Sequence, residues 1–145
     1  MTVATEKQDE IALRLMAEYA DKIAPDKMAR EKAAANVLGD LLALNGAYGF
    51  QVSRDKNDRN SIFVILQHQQ VRVTVMRGEK FRIAPDTMSE ARDVTGLEFN
   101  RVSGEWVSTS DDDRYEPKYG EPRTRKRTAV AEVITQVLKM MAADR

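Results

Sequence analysis

A chain of 145 residues makes a single domain the natural expectation, and 42% hydrophobic with 32% charged residues supplies both a core and a solvated surface rather than global disorder. The 23 lysines and arginines balance 23 aspartates and glutamates, so no overall field draws the chain to nucleic acid or an anionic membrane. There is no cysteine, which excludes disulfides, thiol catalysis and thiolate metal sites and fits a reducing, cytoplasmic setting.

Thr5-Glu6-Lys7-Gln8 has the spacing of a capping box, in which a hydroxyl and a side-chain amide satisfy the first free N–H groups of a helix. Behind it Ile11, Leu15, Tyr19 and Ile23 recur every four residues, with Ala12, Met16 and Ala20 beside them, which marks one apolar helix face. The same stretch carries Glu6, Lys7, Asp9 and Glu10 where a signal peptide needs an apolar centre. Pro25 ends this helix, because the residue before proline is driven out of the helical region, and it suits the first turn of a second helix. Met28, Ala34, Val37, Leu38, Leu41 and Leu42 line one side of that helix, and Gly46 provides its C-cap.

The period then changes. Phe50 and Val52 alternate with Gln51 and Ser53 as a first strand, and Asp55–Asn60 reads as a polar loop. Ile62–Leu66 is apolar on both faces, as a central strand covered on both sides would be, and it is far short of the roughly 20 residues that span a bilayer. Val71, Val73 and Val75 alternate with Arg72, Thr74 and Met76, and Phe81 and Ile83 with Lys80 and Arg82. A two-residue Arg77-Gly78 loop between these strands would pair Val75 with Lys80 and mix the faces. A three-residue Met76-Arg77-Gly78 loop pairs Val73 with Phe81, Val71 with Ile83, Arg72 with Arg82 and Thr74 with Lys80, and it gives Gly78 the left-handed position.

Thr87-Met88-Ser89-Glu90 is a second capping box. It predicts a short helix over 88–95, with Met88, Ala91 and Val94 on one side and Gly96 at its end. Leu97–Val102 and Trp106–Thr109 form a hairpin around Ser103-Gly104, with Phe99 and Trp106 on a common face. The last helix carries Val130, Val133, Ile134, Val137, Leu138 and Met141 on its apolar side, and Met140-Met141 are expected in the core rather than at a partner surface. The expected fold is α+β: two N-terminal helices, an antiparallel sheet of about five to six strands interrupted by the short helix, and a C-terminal helix packed on the sheet. As a single domain over 1–145, this divides into a helical segment 1–47, a sheet region 48–110, a loop 111–122 and a helix 123–143. The order is shared with small dimeric secretion chaperones and with many other α+β domains, and no motif identifies a family.

No catalytic residue, metal or cofactor is expected. Asp55–Asn60 resembles the start of a calcium loop, but Arg59 stands at a ligand position, Asn60 at the glycine and Leu66 at the bidentate glutamate. Asp111 and Asp113 have ligand spacing, but Tyr115 follows where another ligand should stand. His68 is the one histidine and sits in the polar Gln67–Gln70 stretch, which suits a turn. Gly46 and Gly49 lack the phosphate-loop pattern, and a helix cap followed by a turn accounts for them.

Two basic features remain. Arg72, Lys80 and Arg82 share the face opposite the valines, and like charges directly across a sheet repel unless they splay into water, meet an acid or bind an anion. Near the C-terminus Asp111-Asp112-Asp113 gives way to Arg123, Arg125, Lys126 and Arg127 at the expected start of the last helix, where positive charge opposes the macrodipole. Tyr115 and Tyr119 are interleaved and suited to stacking. Internal pairing of these charges competes with anion or partner binding. The expected function is a non-enzymatic protein-binding module, an adaptor or small chaperone-like protein whose partner is another protein or a second copy in a homodimer. The alternative is a nucleic-acid-binding accessory protein acting through these basic residues. A membrane partner is not expected.

Overall fold

Apolar residues recurring every third or fourth position, then every second, produce helices against sheets. The computed structural model describes residues 3–22, 24–85 and 90–143. Their order is α1 (Val3–Lys22), α2 (Ala24–Leu42), β1 (Gln51–Asp55), β2 (Asp58–Leu66), β3 (Gln69–Met76), β4 (Lys80–Pro85), β5 (Arg92–Asp93), β6 (Leu97–Asn100), β7 (Glu105–Asp111), β8 (Lys126–Thr128) and α3 (Ala129–Ala143). All strand pairs are antiparallel, in a five-stranded sheet ordered β1-β2-β3-β4-β5 and a three-stranded sheet ordered β6-β7-β8. The chain is therefore an α+β protein, with its strands divided between two sheets rather than joined in one.

The core lies between the sheets and helices α2 and α3. Ala33, Ala34, Val37, Leu38 and Leu41 of α2 and Val133, Val137, Met140 and Met141 of α3 meet Val52, Ile62, Val64, Val71, Val73, Val75, Phe81 and Ile83. Each large side chain so enclosed contributes about 1.5–3 kcal/mol. Met140 and Met141 are thus core residues, as their pattern suggested. On β2 Ile62 and Val64 are fully buried on one face and Ser61 on the other, while Phe63, Ile65 and Leu66 are half-buried. The end of α2 is tied to β1 by Asn45 Oδ1, which accepts the Val52 N–H at 3.0 Å, and by Gly46, whose φ of 88° turns the chain.

Several expectations are corrected. The β3–β4 register pairs Val73 with Ile83, Val75 with Phe81, Thr74 with Arg82 and Arg72 with Ala84. Both registers keep the valines on one face, but only the observed one avoids setting Arg72 opposite Arg82. Glu90 is in 3-10 conformation, but residues 91–95 do not continue a helix: β5 pairs with β4, Val94 donates its N–H to the Phe81 carbonyl at 2.7 Å, and the Val94 side chain enters the core. Residues 86–89, with Met88, lie outside the described residues, as do Ile23 and the side chains of Thr5, Tyr19 and Ala20. Loop 55–60 shrinks to the Lys56-Asn57 turn, so Arg59 and Asn60 belong to β2.

The C-terminal helix begins at Ala129, not 123, because Lys126–Thr128 is drawn into β8 beside β7. Thr128 Oγ1 accepts the Ala131 N–H at 3.1 Å and caps α3. Met28 and Leu138, expected on apolar faces turned inward, are exposed.

The β3–β4 turn uses two positive φ values, 55° at Arg77 and 68° at Gly78, and closes when the Glu79 N–H donates to the Met76 carbonyl at 3.0 Å. It also presses against α2: a Cβ on Gly78 would lie 2.5 Å from Glu31 Cγ and 3.3 Å from Glu31 Cα. Gly78→Ala is expected to lower stability by about 1–3 kcal/mol. Gly104→Ala, also at positive φ but with open space around it, should cost less. Urea midpoints of the two variants, at unchanged slope, check this.

Candidate functional site

The acidic run and the basic run near the C-terminus face each other across β7 and β8. Lys126 lies opposite Asp111 in the ladder, and its Nζ is 2.9 Å from the Asp111 carboxylate. Arg125 reaches Asp112 at 3.1 Å, and Arg127 reaches Asp113 at 3.1 Å. The Asp112 N–H donates to the Arg125 carbonyl at 2.7 Å, so backbone pairing brings the two runs together. The Arg125 hydrogen bond, helped by the Arg114 N–H, holds the Asp112 carboxyl below its ordinary range. Arg125 also lies 4.6 Å from the centroid of the Tyr115 ring. The Tyr115 hydroxyl donates to Glu121 at 2.7 Å, and this raises its pKa. Tyr119 is fully exposed and Arg123 is exposed, with no ion pair among the described residues.

Arg127 is the member of this group that reaches inward. Its Nη1 lies 3.1 Å from buried Glu132, whose carboxylate also accepts from the Gln136 amide at 3.0 Å and, at a long 3.5 Å, from the Ser110 hydroxyl. The Glu132 hydrogen bond raises the Arg127 pKa, fixing its charge. A cleft of about 440 Å³ opens beside this region between α2, β7 and the start of α3, with Val37, Trp106 and the Arg125–Arg127 segment in its walls. The positive charge there is already matched by carboxylates.

The hairpin face is neutralised in the same manner. Arg72 lies 3.0 Å from Asp55 and 3.2 Å from Asp58, donates to the Ser61 hydroxyl, and covers the Phe63 ring at 5.9 Å. The Ser61 hydroxyl, then the Asn60 N–H, keep Asp58 below its ordinary pKa, and Arg72 adds to this against a small desolvation effect. Lys80 at 3.2 Å and Arg82 at 3.3 Å share Asp93 on β5, which lowers the Asp93 pKa. His68 sits in the exposed Gln67-His68 turn between β2 and β3.

Two features carry no such internal match. Along α1, Ile11, Leu13, Leu15 and Met16 are 56–68% exposed, and Met28 at the start of α2 is 69% exposed. The element with which α1 makes its main contact is α2, its neighbour in the chain. The apolar stripe was legible, but its lack of a cover was not. The second feature was not legible in the sequence: Arg54 and Arg59, on either side of the β1–β2 turn, meet the distant Arg77 around one cleft where the β1–β2 and β3–β4 turns meet α2. No helix among the described residues is long and apolar enough to cross a membrane. No family model, no curated protein and no solved structure matches this chain.

Two outcomes follow from the charge pairing. Glu132→Ala, which removes the buried carboxylate that Arg127 and Gln136 share, is expected to lower stability by about 1–3 kcal/mol. Asp111→Ala, on the surface, should stay within about 0.5 kcal/mol. Thermal melts of both variants separate a structural network from a solvated one. Because Asp58 is depressed in the folded state, its stabilisation is complete above the ordinary value of 3.8 and is lost as pH falls through the folded-state pKa. Asp58→Asn should therefore make the acid side of the stability–pH curve shallower, as read from urea midpoints across the acid range.

Proposed function

We propose that this chain is a cytoplasmic, non-enzymatic protein-binding module, an adaptor or small chaperone-like protein, that docks through α1. The observation that carries this is the uncovered apolar surface of that helix. Ile11 and Leu15 lie one above the other, with Ala12 and Met16 round to one side of them and a charged row of Glu10, Arg14 and Glu18 along the other side. A helix of 20 residues extends about 30 Å, enough to lie in a groove or along a second helix. Helices in proteins derive most of their stability from packing an amphipathic face, and among the described residues nothing covers Ile11, Leu15 or Met16 of α1. Ile11, Leu15 and Met16 would each return up to about 1.5–3 kcal/mol on being covered, so a protein surface is the natural occupant, while Leu13 lies on the far side of the helix from Ile11.

The alternative, a nucleic-acid-binding accessory protein, drew on Arg72, Lys80, Arg82, Arg123, Arg125, Lys126 and Arg127. Six of these seven face carboxylates, and binding phosphate there would mean displacing them. The protein-binding reading is therefore preferred.

Light scattering on the eluting protein at micromolar concentration, together with partner capture from source lysate, tests this reading. A homodimer or a discrete complex is expected, and Ile11→Ser with Leu15→Ser should weaken it at least about tenfold, equivalent to roughly 1.4 kcal/mol. The thermal midpoint of the body should not move, because neither side chain lies in the core. A strict monomer that recovers no partner would sink the proposal.

A further inference from the structure

Three arginines without an ion-pair partner among the described residues meet around one concavity. Arg54 ends the Val52–Arg54 alternation of β1, so its side chain leaves on the face turned toward α2. Arg59 and Asn60 enter from the start of β2, and Arg77 from the β3–β4 turn. With Glu31, Ala35 and Leu38 of α2 they bound a cleft of about 220 Å³. Among the described residues none of the three guanidinium groups has an ion-pair partner, and Glu31 is the single carboxylate in the lining.

We propose that this cleft binds a small phosphate monoester. Guanidinium forks match phosphate oxygens in paired, charge-assisted hydrogen bonds, and a dianion relieves the mutual repulsion of three cations. The volume lies below the roughly 300–1,000 Å³ of pockets for drug-sized ligands, which selects a short skeleton. Ala35, Leu38 and Val75 form an apolar wall for its carbon atoms, while Asn60 and Glu31 are placed for its hydroxyl groups. No aromatic side chain lines the cleft, so it lacks the stacking platform that a single-stranded nucleic acid would use. The close approach of Gly78 to Glu31 holds the Arg77 turn against α2 and so sets the width of the site. This site is separate from α1, and its ligand neither requires nor excludes a docked protein.

Calorimetric titration of the full chain with glycerol phosphate, inorganic phosphate, glycerol and a short single-stranded oligonucleotide, at low and at physiological salt, tests it. Saturable binding of glycerol phosphate is expected, tighter than inorganic phosphate, with none for glycerol. Arg54→Gln, Arg59→Gln and Arg77→Gln should each weaken it about tenfold, the loss of one charge-assisted contact. All three side chains are exposed, so the variants should melt with the parent protein, and a variant that does not is replaced in the comparison by the other two. The Ile11→Ser, Leu15→Ser protein should retain the site, which separates failure here from failure of the α1 docking reading. Absent binding, binding that the three variants leave unchanged, equal affinity for inorganic phosphate, or tighter oligonucleotide binding that glycerol phosphate does not displace would each overturn the assignment.

Discussion

The structure depends on the place where Trp106 joins three layers. From β7 its ring meets Phe81 of β4 edge-on, with centroids 5.6 Å apart, and Phe99 of β6 at 5.8 Å. Its indole Nε1–H donates to the Arg30 carbonyl of α2 at 3.2 Å, and Arg30 in turn covers the Phe99 ring at 5.7 Å. The two sheets share no strand, so this aromatic contact and the helices that span them are what hold β6–β8 against β1–β5. An indole suits the joint because it fills apolar space on most sides and still supplies one donor for a backbone oxygen. Once Trp106 is seated, α3 can close over both sheets, with Val133 and Val137 fully enclosed beneath it.

Closing that joint also decides the fate of the charges. Placing β8 beside β7 brings Lys126 to Asp111, and the neighbouring pairs follow from the same backbone alignment. Most of these pairs are solvent-exposed, and exposed ion pairs add little stability. Their effect is better described as removal of a field: Arg125, Lys126 and Arg127, which would attract phosphate, are each matched with acid from the same chain. Arg127 and Glu132 differ, since the carboxylate is buried and needs every partner it has.

Much of this architecture was legible in the chain. The core faces of α2 and α3, the Val71–Val73–Val75 alternation, the Phe99–Trp106 pair and the α+β class all follow from periodicity, because burial acts on whole faces. Short elements were not legible in the same way. Two residues of β5 and three of β8 carry no period, and Gly96 with a φ of 74° serves a strand exit as well as a helix end. The start of α3 does carry a signal in Thr128, a hydroxyl immediately before the apolar run that caps the helix. The β3–β4 register failed for a different reason, since two alignments satisfied the valine face and only like-charge repulsion separates them. Tertiary convergence was the largest gap: Arg54, Arg59 and Arg77 come together only because antiparallel pairing puts the turn after β1 and the turn after β3 at one end of the sheet.

The clustering of unmatched groups is what gives the candidate sites their meaning. Asp111–Asp113, Asp93, Asp58 and Asp55 each face a named cation, whereas Lys56, Arg92, Arg114 and Lys139 have no ion pair among the described residues. An unpaired cation is therefore ordinary on this surface. What sets Arg54, Arg59 and Arg77 apart is that all three line one cleft, as a concentration of exposed large apolar side chains sets α1 apart. The two features differ in kind: the first suits an anion small enough to enter a concavity, the second a broad surface able to cover a helix. The two proposals are therefore independent, and neither is an alternative explanation of the other.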